Sequence, residues 1–373
     1  MAGMRITIDA RMMSPERTRG IGRYIEELVR AMLEIGTSHR LTLVVRDAEQ
    51  SPFQGHASVE HVIADIPWYR MGEQFQMPSV LAKTKPDLVH VPHWNVAIAS
   101  TLPRIVTIHD LLLLEEPTSS KSSTKGGFLR AMRHFGYKIA LTNAVRASRA
   151  VLVPTQWVAE DIRRHFPELS TPVTVTGEGM PPIDRAMWRD ADANDPYLLY
   201  VGSAYPHKNL DLLLDAWKII STDQSTLSLV IAGEKDVFME RLEDRVKSEG
   251  IGRVRFSGRV SDDELSKLYS KATAFIFPSR NEGFGLPPLE ALAHGCPVLA
   301  AESTCLPEVL GKDGAIFFQP SGTDGIIRAV QTVLRDSVGV RDRARASASV
   351  LAEKHSWQHA AVQTLTAYEQ AVR

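Results

Sequence analysis

ATAFIFPSRNEGFGLPPLEALAHGCPVLA (residues 272–300) decides the reading of this chain. AFIFPS is an apolar run that ends as a strand, RNEGFG is a turn, LPPLEALAHG is a helix, and CPVLA (296–300) is the next strand. Strands without polar alternation belong in a parallel sheet covered on both faces. Pro287 and Pro288 suit a first helical turn, where backbone N–H groups have no intrahelical partner. Gly283 and Gly285 let the backbone approach a ligand closely. Amides and the helix dipole at such an end attract phosphate. Carboxylates there would repel it, so Glu282, just before the helix, and Glu290, about one turn inside it, read as acceptors for hydroxyls. One would serve a sugar ring and the other a ribose diol, with roughly 1.5–3 kcal/mol in each charged hydrogen bond. The bland alternative is a capped helix with two solvated acids.

The same alternation extends outward in both directions. MRITIDA (4–10), RLTLVV (40–45), DLVHV (87–91), RIVTI (104–108), AVLVP (150–154) and PVTVT (172–176) read as strands. GIGRYIEELVRAMLEIG (20–36) is an amphipathic helix with Ile21, Tyr24, Ile25, Leu28, Val29, Met32 and Leu33 on one face. GEGMPPIDRAMWRDADANDP (177–196), rich in Gly, Pro and Asp, reads as a linker. Beyond it come YLLYVG (197–202), LSLVIAG (227–233), RVRFSG (253–258), ATAFIFPS and CPVLA, with helices near 209–221, 236–248, 261–270 and 286–294. The expectation is α/β: two doubly wound, Rossmann-like domains, 1–176 and 197–355, followed by a C-terminal helix, 356–373, packed back on the first domain. Ligands in such sheets bind beyond the carboxyl ends of strands, and the cleft between two domains is the default site.

Three further stretches fall at strand ends. VGSAYPHKNLDLLLDAW (201–217) carries Ser203, His207 and Lys208, and a lysine there can reach a diphosphate. VTIHDLLLL (106–114) places His109 and Asp110 where an apolar strand ends. RGIGRY (19–24) supplies Gly20 and Gly22, a fragment of a dinucleotide fingerprint with Ile25 at its last position. Taken singly, a lysine is more often a surface residue and a histidine more often structural. Asp190 and Asp192 have the D-x-D spacing of some metal-dependent transferases, but they lie in the linker without flanking strands. No metal site is expected.

The 373 residues include 44% hydrophobic and 23% charged side chains, so an ordered globular chain with more than one core is expected. A net charge of −1 gives no reason to expect nucleic acid. Cys296 and Cys305, nine apart, make neither a disulfide framework nor a zinc motif. No signal peptide or membrane span is expected, and a reducing, cytoplasmic setting fits.

With Glu282 and Glu290 in an E-x7-E spacing, beside EGFGLPPLEA, A-x-G-CPVLA and RGIGRY, the sequence resembles the retaining glycosyltransferases of family 4 over nearly its whole length. The resemblance implies the GT-B fold, with an acceptor-binding first domain and a donor-binding second. It implies that Glu282 holds hydroxyls of the donor sugar, that Phe284, Gly285 and Leu286 offer amides to phosphate and sugar, and that Glu290 binds the ribose. It also implies that Lys208 neutralises the diphosphate, that Gly258 to Val260 contact the base, that Gly20 and Gly22 lie near phosphates and acceptor, and that His109 lies near the reacting sugar. The chain departs from relatives in having His207 before Lys208 where many have arginine, and Ser203 where others have arginine. Phosphate binding would then rest on Lys208, or depend on pH through His207. The implied reaction is metal-independent hexosyl transfer with retention and no cofactor, from a nucleoside-diphosphate sugar, GDP-mannose being favoured, in polysaccharide or O-antigen assembly. A non-hydrolysing sugar-nucleotide epimerase and a non-catalytic sugar-binding scaffold are the rivals. The retained carboxylates argue against the scaffold.

Between Glu116 and Glu160 there is no acidic residue, whereas Lys121, Lys125, Arg130, Arg133, Lys138, Arg146 and Arg149 are basic. Phe128, Leu129, Met132, Phe135 and Tyr137 interleave with them. A basic amphipathic helix of this kind lies on anionic membranes. The expectation is a peripheral position on the inner face of the cytoplasmic membrane through residues 121–149, and a lipid-linked or oligosaccharide acceptor. The alternative is a helix packed on the sheet with a solvated basic face.

Overall fold

The structure is a computed structural model. It describes residues 3–13, 20–49, 51–116 and 127–373, and of residues 127–130 the backbone only. The chain divides into two compact units. It passes from unit 1 to unit 2 between Gly179 and Met180, and the segment from His355 to Arg373 returns to unit 1.

Unit 1 runs β1 (Arg5–Asp9), α1 (Ile21–Glu34), β2 (Arg40–Val45), β3 (Val59–Ile63), α2 (Met71–Lys83), β4 (Leu88–Val91), β5 (Arg104–Thr107), α3 (Leu112–Glu115, whose last residue counts with unit 2), α4 (Gly127–Arg146), β6 (Ala150–Val153), α5 (Gln156–His165) and β7 (Val173–Val175). Its sheet is parallel throughout, in the order β3-β2-β1-β4-β5-β6-β7. Alternate residues serve opposite faces. Ile6, Ile8, Leu41 and Leu43 pack with α1, while Val44, Val89 and Val91 pack with residues of α2, α4 and α5. In α1, Tyr24, Ile25, Leu28, Val29 and Met32 are buried as their spacing requires, and Ile21 and Leu33 are partly buried at the rim.

The last helix, α13 (Trp357–Val372), contributes Ala361, Ala367 and Tyr368 to the α1 face. A buried polar relay ties it there. His90, fully buried in β4, meets the Tyr368 hydroxyl at 2.7 Å and Thr107 Oγ1 at 2.8 Å, and Thr107 in turn meets the Tyr24 hydroxyl at 3.2 Å. Satisfied networks of this kind fix one arrangement of a core. Gly179 passes so close to Trp357 that a Cβ there would lie 2.2 Å from the indole.

Unit 2 runs β8 (Tyr197–Val201), α6 (Leu210–Asp223), β9 (Ser228–Ala232), α7 (Val237–Ser248), β10 (Val254–Gly258), α8 (Asp262–Lys271), β11 (Ala274–Phe277), α9 (Leu286–Ala293), β12 (Val298–Ala301), α10 (Leu306–Leu310), β13 (Ile316–Phe318), α11 (Thr323–Arg335) and α12 (Ser337–Lys354). Its parallel sheet is ordered β10-β9-β8-β11-β12-β13. The strand order reverses beside β1 in one sheet and beside β8 in the other, which are the switch points where such sheets take ligands.

Most of the stretch read as a linker is not slack. The Trp188 indole N–H donates to the Ala293 carbonyl at 2.9 Å, and buried Arg341 donates to the Arg189 and Gly295 carbonyls at 3.2 and 3.0 Å. An indole and a guanidinium supply packing and donors that the Gly, Pro and Asp content of the segment conceals.

Candidate active site

In unit 2 the loops leaving β8 and β11 are sewn together. After β8 the chain makes a short 3-10 turn, Pro206–Lys208, which ends on Asn209 in the left-handed region at φ 61°. The His207 carbonyl accepts from the Arg280 amide at 2.8 Å and from the Ser279 hydroxyl at 3.3 Å. Ser303 Oγ donates to the Ser279 carbonyl at 2.6 Å, and Thr304 Oγ1 accepts the Glu282 amide at 3.1 Å. These bonds set Lys208 Nζ 2.6 Å from Glu282 Oε1, with both side chains mostly buried and the ammonium 5.4 Å over the Phe277 ring. Sequence reading named both residues without pairing them. A largely buried ion pair is costly to assemble from its desolvated parts, which makes this place a candidate for a functional site.

Gly283 and Phe284 are buried in the turn before α9, and Gly285 holds φ 91°, where a Cβ would come within 2.8 Å of Leu306 Cδ2. No side chain caps this helix. Because Pro287 and Pro288 bring no N–H, the positive end of α9 rests on the Leu286 amide and on the turn before it. This narrows the set of amides open to a phosphate. Glu290 accepts from the Tyr269 hydroxyl at 3.1 Å, and the Tyr269 ring stacks on His294.

Three glycines line the carboxyl ends of neighbouring strands. The Gly233 amide donates to the Gly258 carbonyl at 3.0 Å, and a Cβ on Gly233 would lie 2.0 Å from the Gly202 carbonyl oxygen. The Tyr200 hydroxyl donates to the Ser203 carbonyl at 2.7 Å beneath this rim. Gly258 at φ 66° turns the chain toward half-buried Val260.

His207 requires a correction. It is 4% exposed, and burial, reinforced by Lys208 and Arg280, lowers its pKa to about 2. A neutral, enclosed imidazole gives no pH-dependent phosphate contact, so in this geometry the positive charge comes from Lys208.

Unit 1 holds His109 at the end of β5. Its Nδ1 lies 3.0 Å from Glu178 Oε1 and its Nε2 3.2 Å from the Pro92 carbonyl. The Tyr24 ring meets it edge-on at 4.7 Å. Both ring nitrogens face acceptors, so only the protonated imidazolium satisfies both. Burial alone would lower the His109 pKa, but Glu178, with Asp110 and the Pro92 carbonyl, outweighs burial and raises it. Glu178 was not singled out in the sequence, because it lies in GEGMPP at the start of the apparent linker, yet it belongs to unit 1 and is buried. Gly20, at φ 67°, starts α1, and Gly22 is buried within it, both also in unit 1.

A prediction follows from the direction of this shift. A histidine whose folded pKa is raised contributes stability that is complete below its ordinary value and is lost as pH rises through the raised one. Glu178→Gln should move the His109 ring-proton titration seen by NMR to lower pH. It should also flatten the fall in melting temperature between neutral and mildly alkaline pH. An unchanged titration midpoint would rule out Glu178 as the cause.

Other sequence candidates are placed differently. Asp190 is exposed and pairs with Arg345 at 3.3 Å, and Asp192 Oδ1 accepts from the Asn194 amide at 3.1 Å. The two acids are engaged in a surface ion pair and a turn. In α4, Tyr137, Leu141, Ala144 and Val145 are buried, so Tyr137 belongs to the core and not to a lipid-facing stripe. Met132, Phe135 and Ile139 are exposed beside exposed Arg133, Lys138 and Arg146. Lys121, Lys125 and the side chains of Phe128, Leu129 and Arg130 lie outside the described residues. Among those described, no helix is long and apolar enough to cross a membrane.

Residues 18–182 match the family model Glycosyltransferase Family 4, and residues 188–350 match Glycosyl transferases group 1. The O-antigen chain mannosyltransferase B of Escherichia coli is 35% identical over 46% of this chain and 45% of its own length. The serotype-specific mannosyltransferase WbdA of Escherichia coli is 27% identical over 96% of this chain and 47% of its own. The chain thus spans about half the length of these curated relatives. Sucrose-phosphate synthase from Thermosynechococcus elongatus has the same fold, with a TM-score of 0.75 at 18% identity over 98% of both chains.

Proposed function

We propose that the chain, whose residues 18–182 and 188–350 match the family 4 and group 1 glycosyltransferase models, is such a transferase, and that it moves a hexose, mannose first among candidates, from a nucleoside-diphosphate sugar to a saccharide acceptor. The observation that carries this reading is the Lys208–Glu282 pair beside the N-terminus of α9. A nucleoside diphosphate leaves with negative charge, and Lys208 with the α9 amides provides fixed positive potential for it. Glu282, released from Lys208 when a diphosphate takes the ammonium, accepts hydroxyls of the donor sugar. Glu290 takes the ribose diol. The acceptor oxygen bonds to the anomeric carbon on the face from which the phosphate departs, so configuration is retained. The acceptor proton passes to the leaving phosphate oxygen. Lys208 meets the need for charge stabilisation without a divalent ion. The mannosyltransferase relatives support the choice of sugar and a role in O-antigen assembly.

The test is calorimetry and labelled-sugar transfer with GDP-, UDP- and dTDP-sugars, with and without EDTA and a saccharide acceptor. GDP-mannose should bind tightest and label the acceptor in EDTA. Conversion of the sugar nucleotide without any acceptor would favour an epimerase. Loss of activity in EDTA, restored by Mn²⁺, would remove the metal-independent reading. Glu290→Ala should weaken nucleoside-diphosphate binding by about tenfold to a hundredfold, the value of a charged hydrogen bond, while the melting temperature holds. Unchanged affinity would remove Glu290 from the ribose.

The exposed Met132, Phe135 and Ile139, with Arg133, Lys138 and Arg146, support a peripheral site on an anionic leaflet where a lipid-linked acceptor is presented. Each basic residue near such a surface adds about 1 kcal/mol. Co-sedimentation with vesicles should rise with anionic lipid, fall with salt and weaken in Arg133→Glu/Lys138→Glu. No binding at low salt would leave an enzyme acting on a saccharide without a membrane step.

A further inference from the structure

Unit 1 carries an aromatic surface beside His109 that the donor reading does not use. Tyr69 stacks on Trp94 with centroids 5.3 Å apart and planes 28° apart. His93 packs against Trp94 at 4.7 Å and Tyr69 at 5.8 Å. Buried Tyr137 braces Trp94 edge-on at 4.7 Å. Tyr69 is 58% exposed, and His93 and Trp94 are half-buried. His93 and Trp94 directly follow Pro92, whose carbonyl faces His109 Nε2.

The arrangement is held under strain. Tyr69 has φ 61°, a conformation unfavourable for a bulky residue and retained only where the surroundings over-determine it. One buried carboxylate does so. Glu73, 2% exposed, accepts the Tyr69 amide at 2.9 Å and the Asn95 side-chain amide at 2.7 Å through Oε2. Through Oε1 it accepts from buried Arg11 at 2.6 Å. The same group therefore fixes both loops that bear the rings, on either side of the stack.

We propose that Tyr69, His93 and Trp94 form the platform on which a ring of the acceptor saccharide stacks, presenting its hydroxyl toward His109. Hexoses offer a C–H face that suits an exposed aromatic plane, and rigid aromatic side chains give contact area at little entropic cost. Burial, with the charge of His109, holds His93 neutral, which keeps the surface compatible with a neutral sugar. Met71 and Phe75 are also exposed, but they lie on α2 without ring stacking or hydrogen-bonded bracing in the stack. The proposal rests on the glycosyltransferase reading, and it names the acceptor side of that activity.

The experiment is saturation-transfer NMR on the full chain with mannose-, glucose-, galactose- and rhamnose-containing trisaccharides, paired with transfer kinetics. Signal should be present for one class, lost in Tyr69→Ala and Trp94→Ala, and retained in Tyr69→Phe and Met71→Ser/Phe75→Ser. Acceptor KM should rise about tenfold in each alanine variant with donor KM unchanged. Tyr69→Gly, which relieves the left-handed strain, should melt no lower than the wild type and still lose acceptor binding, separating loss of the ring from misfolding. Saccharide binding that depends on Tyr69, without any transfer, would keep the platform and remove the transferase reading. Transfer with unaltered acceptor KM in both alanine variants would overturn the platform. So would the absence of binding to every trisaccharide, or losses confined to Met71→Ser/Phe75→Ser.

Discussion

Glu282→Gln will lower turnover by about a hundredfold while leaving nucleoside-diphosphate affinity within a few-fold of wild type, and Lys208→Ala will do the reverse to affinity. The two side chains are 2.6 Å apart and mostly out of water. On the proposed function their roles separate, because a diphosphate would compete for the ammonium and a sugar ring for the carboxylate. Removing the carboxylate's charge deletes a repulsion toward phosphate and frees the ammonium, so nucleotide binding holds or tightens. The hydrogen bonds to the sugar weaken, and a charged hydrogen bond is worth roughly 1.5–3 kcal/mol, about a hundredfold at its upper end. Removing Lys208 strips the principal cation from the phosphate and leaves Glu282 as an unpaired, largely buried anion, so affinity should fall by about a hundredfold. Steady-state kinetics and calorimetry on both variants distinguish the patterns. Equal losses in kcat and affinity in both would make the pair a structural support.

Acid will destabilise each unit through a buried histidine. In unit 1 burial, with the charge of His109, lowers the His90 pKa to about 3, and in unit 2 burial, Lys208 and Arg280 lower that of His207 to about 2. Both lie below the ordinary imidazole value, so the unfolded chain binds protons that the folded one refuses. Stability is therefore complete above that ordinary value and is lost as pH falls toward the folded ones. Each tenfold rise in proton activity in that window costs about 1.4 kcal/mol per histidine, which brings the loss near pH 4.5 to about 3 kcal/mol from each of these two. Total stabilities are about 5–15 kcal/mol, so melting temperatures should drop steeply between pH 6.5 and 4.5. Among the described residues His207 Nδ1 has no hydrogen-bond partner. His207→Leu should therefore flatten the acid limb of unit 2 without lowering stability at pH 7. A melting temperature constant from pH 7 to 4.5 would refute the argument.

The strands that are apolar throughout, such as AVLV in β6 and AFIF in β11, were legible because burial on both faces leaves no room for alternation. β3 was not, since VEHVI sits at a sheet edge with Glu60 and Ile63 exposed, and β13 is only three residues long. Of the residues singled out by type, Lys208, Glu282 and His109 lie in loops that leave strands, and Glu290 lies within α9. What escaped was partnership across sequence distance. Glu178 reaches His109 over 69 residues, and Tyr269 reaches Glu290 from another helix. Gly233 escaped for a different reason. Its role is to avoid the Gly202 carbonyl, and a sequence does not reveal which backbone lies 2.0 Å from an absent Cβ.

The position of α13 bears on how the chain is made. A ribosome delivers residues in order, and the helix that supplies Tyr368, Ala361 and Ala367 to the first core emerges only after all of unit 2. Until then His90 lacks its Tyr368 partner, and the apolar residues that α13 will cover, Tyr24 among them, wait while Met180–Lys354 is synthesised. Unit 2 from Met180 onward is by contrast nearly continuous in sequence. Translation thus inverts the order in which the two units complete: the one begun first is finished last.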